Sequence, residues 1–261
     1  MSGFAVISLL FNFIIGIALL VYYFSNFKEV NSYIKYGIFV LGVYIVLTAF
    51  GGGIDVSSIP MLIIPYVKLA IYTCIGMHLC SKLGFRDMPL LRKVFRDNTT
   101  EKISIKSYTL STIAVIIGSV GFSYILFKLT TPSASEAIKR SIDNGDVVTD
   151  LGGTLSVDII LLFIGVVIAE EIIFRFVIPN YLAVQFKLGE NKYWITIVAS
   201  SILWALAHAN TLDPEWVKFV QIFPVGLALG AIYKKYGLES CIIAHSGFNI
   251  LMIYVAGGLI A

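Results

Sequence analysis

The chain has 261 residues, 58% of them hydrophobic and 13% charged, with a formal net charge of +3, whereas soluble domains carry about 25% charged residues. A water-soluble fold of this length cannot hide so large an apolar excess, because its surface polarity must come mainly from the charged residues that are missing. An ordinary soluble enzyme is excluded, and the small net charge gives no footprint for a nucleic-acid partner.

A membrane-crossing helix needs about 20 mainly apolar residues, so cutting the sequence at its polar clusters predicts spans near 3–24, 33–50, 59–80, 108–129, 156–178, 193–210, 216–235 and 238–260. The expected fold is all-α, a polytopic transmembrane bundle of about eight spans. It reads as one membrane domain, with N-terminal spans and a basic loop over 1–107 and a core over 108–261. The first stretch has no basic residues before it and no small-residue cleavage site after it, so it is expected to stay as an anchor.

Orientation follows from Lys and Arg, which short cytoplasmic loops retain. One set of alternate loops holds Lys28, Lys35, the basic run from Lys82 to Lys106, Lys187, Lys192, Lys234 and Lys235, and the other holds Lys139 and Arg140. Both termini are therefore expected outside and the 81–107 loop in the cytoplasm. That loop mixes basic residues with Phe85, Leu90, Leu91, Val94 and Phe95, as in an amphipathic helix on an anionic leaflet or in an ordinary positive-inside loop. The Ser-, Asp- and Gly-rich loop over 130–155 is expected to be lid-like. Cys74, Cys80 and Cys241 lie in apolar stretches without metal-type spacing and read as small core residues.

Ionisable groups inside hydrocarbon cost about 2.5–3.5 kcal/mol each, so each asks for a reason. They cluster late. The fifth span carries Glu170, Glu171 and Arg175, the sixth His208, and the eighth His245 and Asn249. Glu171 and Arg175 are i and i+4, so Arg175 can compensate Glu171, while Glu170 points about 100° away and is left to act as a general base. His245 and Asn249 are also i and i+4 and together can donate to a developing oxyanion. Lys68 and His78 have no partner within sequence reach and read as structural, and Lys128 and Lys218 lie where snorkelling suffices. Counted from the expected cytoplasmic ends at about 1.5 Å per residue, Glu170 and His245 lie about 10–12 Å deep and His208 about 22 Å. An interfacial helix over 179–192 that shifts the sixth span is expected to bring them level.

These residues resemble the CAAX protease and bacteriocin-processing family, also called Abi or type II CAAX prenyl endopeptidases, a family of glutamate intramembrane proteases. Its Glu-Glu-x-x-x-Arg motif stands as Glu170 to Arg175, its aromatic followed four residues on by His as Trp204 and His208, and its His-x-x-x-Asn as His245 and Asn249. The likeness covers about 156–252, with Trp204 where the family most often has Phe. It implies peptide-bond hydrolysis in the membrane. Glu170 and His208 would activate water, Glu171 and Arg175 would position the first motif and contact substrate, and His245 and Asn249 would stabilise the oxyanion. The implied partners are a membrane peptide or lipidated protein and the bilayer, in the plasma membrane of a prokaryote, with no cofactor.

Three other readings stay open at this stage. Glu170, His208 and His245 could instead hold a hydrolytic zinc, although no His-Glu-x-x-His is present. A family member could act in self-immunity to a bacteriocin or as a non-proteolytic scaffold. Intramembrane Glu and His also serve proton-coupled transporters, but the paired broken spans of inverted repeats are missing.

Overall fold

A computed structural model describes residues 3–52, 59–97, 104–136, 139, 156–208 and 210–256, and over them the chain is an all-α membrane helix bundle. In chain order the helices are α1 (Gly3–Ser25), α2 (Phe27–Asn31), α3 (Ile34–Gly52), α4 (Ile59–Leu83), α5 (Pro89–Val94), α6 (Ile105–Thr130), α7 (Val157–Glu171), α8 (Ile178–Gln185), α9 (Tyr193–Ala207), α10 (Glu215–Tyr236) and α11 (Leu238–Ala256). Hydrocarbon forces this outcome, because a helix pairs its backbone N–H and C=O groups within one segment. The outward faces are apolar: Phe50 is 71% exposed, Ile64 74% and Leu129 79%, a surface suited to lipid rather than water. The chain is an integral membrane protein. Among the described residues five helices are long and apolar enough to cross a membrane, α3, α4, α6, α10 and α11, against the eight spans expected. Helices α7 and α9 have 15 residues each and fall short of that length on their own.

Helix α7 does not stop where the fifth span was expected to end. It passes through a π-helical turn, Ile172–Val177, directly into α8. Pro179 has no N–H and its ring crowds the carbonyl four residues back, which is that of Arg175 within the wider turn. The turn thus absorbs the proline, and the helix runs on to Gln185. Measured from Gln185, Glu170 lies about 22 Å up, the same as His208 measured from Tyr193, at about 1.5 Å per residue. The depth mismatch disappears. Residues 178–185 are helical as expected, but as a continuation of the span and not as a surface helix: Ile178, Pro179, Asn180 and Ala183 are buried. Asn180 anchors this end, donating to Tyr233 Oη at 2.5 Å and accepting from Tyr193 Oη at 2.7 Å, so α8, α9 and α10 share one buried polar knot.

Helices α9 and α10 pack antiparallel with glycines at the contact. A Cβ on Gly230 would come within 2.4 Å of Ile197 Cγ2, and one on Gly226 within 2.9 Å of Ser201 Cβ. The two contacts are four residues apart on each helix, so the same register carried onward puts His208 level with Lys218 and Phe219.

In the basic loop, α5 docks on the start of α11. The Glu239 carboxylate accepts from Leu90 N and Leu91 N at 2.9 and 3.0 Å, filling the orphan donors of a helix N-terminus. Arg92 pairs with Asp87, whose carbonyl accepts from Leu238 N at 2.8 Å. Between α10 and α11, Gly237 has φ 89° and ψ −178°, and a Cβ there would lie 2.6 Å from the Asp87 carbonyl oxygen. Gly237→Ala is therefore expected to destabilise the protein by about 1–3 kcal/mol, read as a lower thermal unfolding midpoint in detergent. An unchanged midpoint would contradict this packing.

Most of the 130–155 loop, expected to be lid-like, lies outside the described residues. Its start forms β1 (Ser133–Ala134), which pairs antiparallel with β2 (Leu212–Asp213), Ser133 opposite Asp213. The loop is thereby tied to the segment that follows His208. The three cysteines are buried and free.

Candidate active site

Glu170 and Glu171 end α7, the first against the indole of Trp204 and the second beside His245. Trp204 Nε1 donates to Glu170 Oε2 at 2.9 Å, while Glu170 Oε1 lies 3.7 Å from His208 Nε2. His208 follows α9, where regular helix gives way to Asn210 at φ 70°, and Thr211 Oγ1 donates to the His208 carbonyl at 2.9 Å. His208 Nδ1 lies 2.9 Å from the Trp204 carbonyl oxygen. A carbonyl only accepts, so Nδ1 carries a proton, and in the neutral ring Nε2 presents its lone pair toward Glu170.

Behind the indole the groups are dry. Glu171 is 0% exposed, Arg175 1% and His245 2%. His245 Nδ1 lies 2.9 Å from Glu171 Oε1, and its Nε2 lies 3.9 Å from Glu170 Oε2. Arg175 Nε is 3.6 Å from Glu171 Oε2, an ion pair longer than a hydrogen bond, and its guanidinium stacks 4.3 Å from the Trp204 ring centroid. The imidazoles of His208 and His245 meet the same ring edge-on, with centroids at 5.2 and 5.1 Å. One tryptophan therefore touches Glu170, both histidines and the arginine.

By contrast, the side chains of Glu170 and His208 are 24% and 23% exposed, so these two form the open side of the cluster. Asn249 is half-buried one turn beyond His245 and makes no hydrogen bond among the described residues. His78 does not join the group, being buried beside the rings of Tyr22 and Tyr33. Lys68 is exposed, with its ammonium over Tyr72. Among the described residues no three His, Cys, Asp or Glu side chains are grouped to hold a metal ion, the set Glu170, His208 and His245 included.

Trp204 has a role that bulk alone does not convey. The sequence marks it only as an aromatic in place of Phe, and the signal was the extra N–H, since a buried indole finds an acceptor. Trp204→Ala is expected to lower stability by about 3–5 kcal/mol, and Trp204→Phe to keep most of it, in thermal unfolding of the purified variants. Equal stability of the two variants would show that the ring does not organise the cluster.

Residues 152–251, which contain all of these groups, match the family of Rce1-like type II CAAX prenyl endopeptidases. The resemblance is confined to this segment, less than half of the chain. Over 87 residues the chain is also 32% identical to the sporulation-killing factor biosynthesis protein SkfC of Bacillus subtilis (strain 168). That likeness takes in 33% of this chain and 17% of SkfC, so the chain aligns with only a small part of that protein's length. No solved structure matches the chain. The Rce1-like segment starts before α7 and ends within α11, so helices α1 to α6 lie outside it.

Proposed function

We propose that the chain is an integral-membrane endopeptidase that hydrolyses membrane-associated or lipid-modified peptides, as in CAAX-type processing, through an activated water and without a metal. The observation that carries this reading is the facing pair of acceptors, Glu170 Oε1 and the Nε2 lone pair of His208, 3.7 Å apart on the open side of a buried cluster. A water that donates to both is polarised for attack. Trp204 occupies Glu170 Oε2 and leaves Oε1 as the base.

In the proposed reaction, water oxygen bonds to the scissile carbonyl carbon and its proton passes to Glu170 Oε1. The oxyanion so formed faces His245 and Asn249. Glu171, compensated by Arg175, accepts from His245 Nδ1–H and fixes the ring one turn from Asn249, whose side-chain amide donates to the oxyanion. Glu170 then returns its proton to the leaving nitrogen as the C–N bond breaks, giving a carboxylic acid and an amine. Charge development is met by groups already in place, which is where most of such catalysis arises.

The Bacillus relative favours the plasma membrane of a prokaryote as the location. Comparing the peptides of cells carrying the wild type and Glu170→Ala tests the activity. A membrane peptide whose cleavage disappears with Glu170, and persists in metal-chelated membranes, is the expected result; chelator-sensitive cleavage would return the site to zinc. A second reading places the chain in the biosynthesis of a killing factor, as the name of SkfC has it, or in self-immunity as a member of the family it resembles. Protection that survives Glu170→Ala would assign the chain to a scaffold role.

A further inference from the structure

One charged group beside the cluster is left without a task. Lys218 sits in the first turn of α10, where the sequence reading let it snorkel to the interface. The structure instead pins it. Its ammonium donates to Gln221 Oε1 at 3.0 Å, and Gln221 Nε2 donates to Ser123 Oγ on α6 at 3.1 Å. Gln221 is 1% exposed and Ser123 0%, so the lysine is held by a fixed, buried relay. The packing of Gly226 and Gly230 on α9 sets Lys218 level with His208. Its charge acts on both Glu170 and His208, yet it forms no ion pair with Glu170 among the described residues. The ammonium gives one N–H to Gln221 and keeps two more for a ligand.

We propose that Lys218 is the receptor for a carboxylate of the peptide substrate, so that the site selects peptides carrying a negative charge a few residues from the scissile bond. The assignment rests on the endopeptidase reading above. An extended peptide advances about 3.3 Å per residue, so a carboxylate bound at Lys218, level with His208, belongs within a few residues of the cut. The carboxylate is either the chain terminus or an acidic side chain. Ammonium–carboxylate hydrogen bonds are the strong kind, and in a membrane site the competing water is scarce.

The test uses the full chain in liposomes and one N-terminally lipidated peptide in three forms: a free C-terminal carboxylate, a C-terminal amide, and an amide with a Glu side chain introduced past the cut. The wild type is expected to prefer one acidic form over the plain amide by about tenfold or more, mainly through KM, and the preferred form names the source of the carboxylate. Lys218→Met should bring the acid-to-amide ratio near one, and Lys218→Arg should keep the preference. A ratio untouched by Lys218→Met, or an equal fall in kcat on all three peptides, would overturn the proposal. Equilibrium binding of the same peptides to the Glu170→Gln protein separates this outcome from failure of the endopeptidase reading. A carboxylate preference in binding that Lys218→Met removes upholds the lysine site even where no peptide is cleaved, and binding without preference overturns it.

Discussion

Exchange of Glu170 for Gln, or of His208 for Ala, is expected to lower peptide cleavage by about three orders of magnitude, within the range of general acid–base contributions. The double exchange should be no slower than the worse single one. The reason is that in the proposed reaction the two side chains act on one water. Gln at 170 keeps the hydrogen bond from Trp204 Nε1 through its carbonyl oxygen, but no longer takes a proton. Ala at 208 removes the Nε2 lone pair that lies 3.7 Å from the carboxylate. Once either base is missing the water is no longer polarised, and losing the second changes little. Kinetics of purified variants in liposomes would show it. Losses that multiply would mean that Glu170 and His208 contribute to separate steps.

A second large effect is expected in stability. Arg175→Met should destabilise the protein by about 3–5 kcal/mol, because it strands the charge of a wholly buried Glu171. Adding Glu171→Gln should recover most of that loss, since removing both charges also removes their desolvation. Arg175 is more exacting than an ordinary ion-pair partner. Its Nε and both Nη atoms are buried and make no hydrogen bond among the described residues, so the Glu171 charge and the Trp204 ring are what hold it. Thermal unfolding of the two single variants and the double variant gives the coupling directly. Independent, additive losses would show that Arg175 does not compensate Glu171.

The helical bundle was legible because hydrocarbon admits so few backbone solutions, and apolar runs of spanning length translate almost directly into α3, α4, α6, α10 and α11. The grouping of Glu170, Glu171, Arg175, His208 and His245 was legible for the related reason that ionisable groups in spans are rare and need partners. Pro179 lies just after the expected end of the fifth span at 178, where a proline normally marks a helix end. Here the π turn before it accommodates the ring, and no residue pattern announces that turn. The misplaced helix end alone produced the apparent depth mismatch between Glu170 and His208. Trp204 and Lys218 escaped for another reason. Both act through partners distant in sequence, Glu170 for the indole and Ser123 through Gln221 for the lysine, and helical spacing reports only neighbours on the same helix.

The most direct measurement is cleavage of a lipid-anchored peptide by the purified chain in chelator-treated liposomes, with mass spectrometry of the new carboxyl terminus and the Glu170→Gln protein run in parallel. The account predicts a single defined cut by the wild type and none by the variant. Cutting by Glu170→Gln at the wild-type rate, or loss of wild-type cutting with the chelator, would contradict it.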